Sequence, residues 1–236
     1  MFDNCIRLQY CSSIGDSCTN LAYTFNECHS LNTRPRIGNN VQNASHTYYN
    51  CWYLYGSPIV GKYVTDMSYM YHGCNSLKGT PVVSNLTTNM SYAYANCGSL
   101  TGPPVCGPNV KDMSGAYYNC IWNLKGEPVC GPNVTNMSNA YYNCRNLTGN
   151  YICGENVTDM SYTYYNCNLR VAPVCGNNVI NMSYAYYNSS ARGEAVCGPN
   201  VIDMSGAYRA EYYYYGAITK GVCGPNVTNM SYSYFY

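Results

Sequence analysis

Apolar residues recur along this chain at fixed offsets, and the set of offsets itself recurs about every 23 residues. Its clearest marker is the word Asn/Asp-Met-Ser, with Met67, Met90, Met113, Met137, Met160, Met182, Met204 and Met230 separated by 23, 23, 24, 23, 22, 22 and 26 residues. Equal steps backwards reach Ala44 and Leu21, which are also apolar. Seven positions after most of these stands a cysteine: Cys28, Cys51, Cys74, Cys97, Cys120, Cys144 and Cys167; one more step back reaches Cys5. Self-similarity at such a period is the signature of a repeat architecture.

One coil runs from Asn133 to Gly149. With Met137 as origin, Ala140, Tyr141 and Cys144 fall three, four and seven positions on, the spacing of one helix face. Asn136 stands where an N-cap belongs, and Asp66, Asp112 and Asp203 fill that slot in other coils. The pattern therefore predicts a short helix from Met137 to Cys144. Leu147 turns inward and Gly149 breaks the pattern. Val129 and Cys130 then predict a short strand, and Gly131-Pro132-Asn133 a turn. Such a unit cannot bury its apolar side alone, whereas stacked copies share a continuous core. Residues 1–236 are expected to form a single leucine-rich-repeat-like solenoid of about ten coils, with short parallel strands and short helices. At ~4.8 Å per strand it is a rod of roughly 50 Å. The stretch Arg209 to Gly216 interrupts the repeat and is expected to bulge from one face.

The run Val-Thr-Asp-Met-Ser-x-x-Tyr with a following Cys-x-x-Leu, from Val64 to Leu77, resembles the BspA-like leucine-rich repeats of bacterial surface proteins. Mycoplasma-type surface lipoproteins and some phage tail proteins carry similar repeats. The resemblance covers nearly the whole chain and implies a leucine-rich-repeat fold with a role in surface adhesion or recognition. Two departures stand out. The family's Phe is mostly Tyr here (Tyr71, Tyr94, Tyr117, Tyr141, Tyr164, Tyr186, Tyr208, Tyr234), with Phe25 as the exception, and the cysteine of Pro-Val-Cys-Gly-Pro-Asn is outside the usual pattern.

Composition narrows the functions. With 12 basic and 11 acidic side chains the net charge is +1, so no electrostatic footprint for nucleic acid or an anionic membrane is expected. No apolar run approaches a membrane span. The first ten residues lack the basic and apolar regions of a signal peptide. Tyrosine is over-used, at 30 residues against 3 Phe and 2 Trp.

Fourteen of the sixteen cysteines form two columns, with Cys11 and Cys18 left over. Eight, from Cys5 to Cys167, end the predicted helices. Six sit near the predicted strands: Cys106, Cys130, Cys153, Cys175, Cys197 and Cys223. The columns do not match coil by coil, and Val or Ser replaces Cys in several coils, as expected of a small core filler. Stacked cysteines ~4.8 Å apart also lie within reach of a disulfide, so a thiol ladder and inter-coil bridges both stand. The spacing is not that of a metal cage, and neither a metal nor a cofactor is expected. His29, His46 and His72 occupy three different slots, which does not build a catalytic triad. Sequons such as Asn85, Asn89, Asn133, Asn136, Asn156, Asn181, Asn226 and Asn229 coincide with capping and turn positions. No enzyme activity is expected.

Tyrosine supplies the candidate contact face. A column five positions after each Met (Tyr49, Tyr118, Tyr142, Tyr165, Tyr187) is expected to face outward, joined by Tyr69, Tyr92, Tyr162, Tyr184 and Tyr232 two positions after Met. Tyr212, Tyr213, Tyr214 and Tyr215 extend it in the interruption. Either these rings bind a ligand or they lie on one another and seal the rod. Two functions follow. One is recognition or adhesion, with a surface protein or glycan as partner, at a cell surface, a virion or outside the cell. The other is a structural subunit of a filament or virion appendage, assembled end to end through Phe2 and through Tyr234, Phe235 and Tyr236.

Overall fold

The computed structural model describes residues 1–210 and 217–234. Its scaffold is a ladder of parallel bridges at the slot before Met. Asn43 pairs with Asp66, Asp66 with Asn89, and so on from Asn20 to Asn229, each residue meeting its counterpart one coil away. The side chain in that slot is also fixed: Asn136 Oδ1 accepts from the Ser138 N–H at 3.0 Å and Asp159 Oδ1 from Ser161 at 2.8 Å. The N-cap reading foresaw this bond, but here it closes an Asx turn.

The predicted helix does not form, and the two strands are the only regular elements among the described residues. The reason lies in where the N–H groups go. In a helix each bonds the carbonyl four residues back. Between Met137 and Cys144 they alternate instead. Met137, Asn139, Tyr141 and Asn143 donate to Asp159, Ser161, Thr163 and Tyr165 of the next coil at 2.7 to 3.0 Å. Ala140, Tyr142 and Cys144 donate three residues back, to Met137, Asn139 and Tyr141. Asn139 and Asn143 take positive φ, 58° and 60°, at the third position of successive turns, the mark of a type II turn. The segment is thus a chain of tight turns that doubles as a ladder. Met137, Ala140, Tyr141 and Cys144 are nonetheless all buried, because consecutive turns return the same positions to the inside as a helix does.

The predicted strand at Val129 and Cys130 is also absent. The Val129 N–H donates to the Tyr141 hydroxyl at 2.8 Å, and that hydroxyl donates to the Val129 carbonyl at 2.6 Å. Both backbone groups are held by a side chain from across the coil, so none is left for a ladder. The same clamp joins Tyr71 to Ile59, Tyr94 to Val82, Tyr117 to Val105, Tyr164 to Ile152 and Tyr186 to Val174. Among side chains that can also fill the aromatic stack, Tyr is the one that donates and accepts at a single atom, which explains why the chain carries Tyr where Phe is usual. The rings stack up the core from Tyr48 to Tyr208 with centroids 5.3 to 5.8 Å apart.

Regular strands appear where the clamp stops. β1 (Arg192–Val196) and β2 (Ala217–Val222) pair in parallel, with a register shift between Gly193 and Glu194. There the buried Tyr208 hydroxyl has no hydrogen-bond partner among the described residues.

Candidate binding surface

The outward tyrosines begin in the turns. Tyr69, Tyr92, Tyr162 and Tyr184 occupy the first positive-φ position of their coils, with φ from 51° to 56°. A left-handed conformation costs a non-glycine residue about 1–2 kcal/mol. What offsets it is the company the ring keeps. Tyr69 lies on Tyr92 at 5.0 Å and Tyr162 on Tyr184 at 4.8 Å, and offset aromatic pairs contribute about 0.5–1.5 kcal/mol beyond their area. Gly115 takes the same slot beneath Tyr92, where a Cβ would sit 2.4 Å from the ring.

Three positions on, Tyr118, Tyr142, Tyr165 and Tyr187 form a second stack at 4.5 to 4.7 Å. Tyr49 belongs to it and lies on His72 at 4.7 Å. The guanidinium of Arg209 lies 5.7 Å from the Tyr187 ring and 5.5 Å from that of Tyr232. The two columns touch through Tyr92 and Tyr118 and through Tyr184 and Tyr187. The face is therefore one aromatic strip, half-buried along its length, with Tyr187 buried and Tyr23 and Tyr232 exposed at its ends. Ring faces are spent on neighbouring rings. Burial, reinforced by the neighbouring Tyr165 and Tyr118, pushes the Tyr142 hydroxyl up to about 12.

Beside the strip runs an amide ladder: Asn119 donates to Asn96, Asn143 to Asn119 and Asn166 to Asn143 at 2.7 to 2.9 Å. A second row, Asn133, Asn156 and Asn226, donates to backbone carbonyls of the preceding coil. These sequon amides are thus engaged in the fold.

Of the end residues, Phe2 lies on Phe25 at 5.4 Å and Tyr234 on Tyr208 at 5.4 Å, so both continue the core column. Tyr212 to Tyr215, Phe235 and Tyr236 lie outside the described residues. All sixteen cysteines are free thiols. Those ending the turn chain donate to the carbonyl of the core aromatic one coil back: Cys97 to Tyr71, Cys120 to Tyr94 and Cys167 to Tyr141, at 2.9 to 3.0 Å. Burial raises Cys120 and Cys167 to about 12. No cluster of three His, Cys, Asp or Glu that could hold a metal occurs among the described residues. His46 lies between Tyr23 and Tyr69 in the first stack, and His29 under Trp52.

One set of exposed residues escaped the sequence reading. Trp52, Tyr53, Tyr55 and Trp122 stand out at the corner that follows the buried cysteine. The available signal was position: both tryptophans of the chain lie one or two residues after a column cysteine, off the inward pattern.

A family model for the BspA type leucine-rich repeat region matches in six copies, over residues 1–125 and 113–192. The chain belongs to the BspA-type leucine-rich-repeat family. No curated protein and no solved structure matches it. BspA-type repeats are typically surface-associated and generally non-enzymatic. Among the described residues no helix is long and apolar enough to cross a membrane. The coils beyond residue 192 continue the bridge ladder through Asp203 to Asn229.

Proposed function

We propose that this BspA-type chain is a non-enzymatic, surface-exposed recognition or adhesion protein whose rigid coil stack presents a contact face to a protein or glycan. The aromatic strip of Tyr118, Tyr142, Tyr165 and Tyr187 carries the reading, since it runs unbroken across four coils and its first three rings stay half-exposed. Tyrosine at an interface brings much contact area at little entropic cost. Because the ring faces are already stacked, contact is through edges and hydroxyls. The test is binding of the labelled chain to a panel of immobilised glycans and matrix proteins, alongside the Tyr142→Phe/Tyr165→Phe variant, which keeps the stack. Loss of binding at unchanged thermal unfolding supports the strip as the contact. Undiminished binding by the variant, or no binding by either chain, overturns it.

A structural role by end-to-end stacking has one observation in its favour. The Met slot is fully buried from Met67 to Met204, yet Met230 is 48% exposed. A further coil, of a continuing chain or of a second copy, would cover it. If imaging and light scattering find rods longer than one chain, and Met230→Lys shortens them, that role holds. Assembly that survives both Met230→Lys and Phe2→Lys contradicts it.

A further inference from the structure

We infer that the corner carrying Trp52 and Trp122 is a binding site for an acidic polysaccharide. The inference rests on the recognition reading above but uses a different part of the surface from the tyrosine strip.

The corner begins just after the buried cysteine of each coil and ends one residue past the inward leucine. In most coils the leucine follows the cysteine by three residues, as from Cys74 to Leu77 and from Cys97 to Leu100. The coil of Cys120 has one residue more before Leu124, and the extra length pushes Trp122 out until it is 68% exposed. This bulge is braced. Asn123 donates to the Gly98 carbonyl at 3.0 Å, and Asn146 donates to the carbonyls of Trp122 and Ile121 at 2.6 and 3.1 Å. Gly98 makes room for the indole, since a Cβ there would lie 3.2 Å from Trp122 Cδ1. Trp52 is held in a similar way: one face lies flat on His29 with centroids 3.8 Å apart, and 45% of the residue stays in solvent. Two indoles are thus fixed, exposed and three coils apart, about 14 Å at the spacing of paired strands.

Exposed aromatic rings alone would suit many partners; their neighbours narrow the choice. Between the tryptophans the corner offers Asn75, Ser76 and Ser99, short hydrogen-bonding side chains rather than the aliphatic residues of a protein-docking patch. Within the corner slots themselves charge is one-sided, with Glu27 outside them pairing to the His29 beneath Trp52 at 2.7 Å and Glu127 two residues past Lys125. Lys78, Lys125, Arg145 and Arg170 all fall in the corner slots and are exposed, whereas no Asp or Glu occurs in those slots from the coil of Cys28 to that of Cys167. Lys78 Nζ stands 5.4 Å from the Tyr55 ring. In a chain of net charge +1, such a local excess is a placed feature. Flat rings that accept the C–H face of a sugar, amides and hydroxyls that bond its hydroxyl groups, and cations spaced along the axis fit an extended glycan bearing carboxylate or sulfate groups.

The two indoles are the only tryptophans in the chain, so emission excited on the red edge, beyond the absorption of the tyrosines, reports on this corner alone. The experiment is a titration of the full chain with polygalacturonate and with a heparin-derived oligosaccharide, followed by tryptophan emission and by protection from acrylamide quenching. A neutral cello-oligosaccharide and oligothymidylate serve as comparisons. The expected result is a saturable change with one or both acidic glycans that weakens as salt rises. Trp122→Ala, read through Trp52, and Lys125→Glu/Arg145→Glu are each expected to weaken binding by about tenfold. An equal response to the neutral glycan removes the charge argument and overturns the proposal. An equal or stronger response to oligothymidylate assigns the corner to single-stranded nucleic acid instead, and no tryptophan response at all also overturns it. The Tyr142→Phe/Tyr165→Phe variant separates the two proposals. Binding lost in that variant, with silent tryptophans in the parent chain, leaves the recognition reading standing without this site.

Discussion

The coils holding Tyr71 to Tyr186 and the coils holding β1 and β2 solve one problem in two ways. Both must satisfy the backbone of the segment that closes the coil. In the first region a tyrosine hydroxyl reaches across and takes both the N–H and the carbonyl of one residue, as Tyr141 does for Val129. In the second the segment pairs with its neighbour as a parallel strand, and the Tyr208 hydroxyl is left without a partner among the described residues. The difference teaches that strand pairing and side-chain clamping compete for the same groups. A buried backbone group left unpaired costs about 1–3 kcal/mol, which favours one solution or the other in these coils; in the coil of Tyr48 the hydroxyl reaches only the Pro35 carbonyl, at 3.2 Å.

Several perturbations break or sharpen this contrast. The largest effect is expected from Tyr141→Ala, which removes a buried ring from the middle of the stack together with its clamp. A loss of about 3–5 kcal/mol is expected in urea unfolding, as for other large aromatic truncations. A loss below about 1 kcal/mol would mean the stack does not hold the coils together.

Acid is expected to act unevenly along the molecule. Burial lowers the proton affinity of His46 and His72, against a weaker opposing pull from Asp66 at His46. The unfolded chain therefore binds more protons than the folded one below the ordinary histidine value of 6.5, so stability is full above that pH and falls as pH drops through it. Hydrogen exchange at pH 5 is expected to loosen the coils from Ala44 to Cys74 before those from Met137 to Cys167, which contain no histidine. Uniform loosening would count against it.

The smallest effect on stability, and a sharp one on reactivity, concerns the thiols. Cys5 and Cys223 are exposed, while Cys74, Cys97 and Cys144 are buried donors. Dithionitrobenzoate at pH 8 is expected to label the first two in the native chain and the other three only on unfolding. Labelling of Cys97 as fast as Cys5 would contradict the ladder.

Much of this was legible in the sequence, and the failures share one cause. The period, the inward set of Met, Ala, Tyr and Cys, and the bond of Asn136 all follow from spacing and residue type. The helix was misread because turns with positive φ at Asn139 and Asn143 bring round the same inward positions as a 3.6-residue period. Only the capture of alternate N–H groups by the next coil separates the two, and that is a contact between residues about 23 positions apart. The strand at Val129 failed for the same reason, since its competitor is a hydroxyl 12 residues away. The tyrosine columns were read as facing outward, whereas rings lying on rings in adjacent coils leave most of them half-buried and Tyr187 buried. Trp122 was overlooked because a one-residue insertion does not disturb the Met spacing by more than one.

The central claim is that the tyrosine hydroxyls substitute for strand pairing, and Tyr141→Phe against Tyr208→Phe tests it most directly. Both changes keep the stacked ring and remove one oxygen. In equilibrium urea unfolding Tyr141→Phe is expected to cost about 2–4 kcal/mol, because two backbone groups of Val129 lose their partner. Tyr208→Phe is expected to be neutral or slightly stabilising, since its hydroxyl is buried without one among the described residues. Equal costs for the two substitutions would contradict the account.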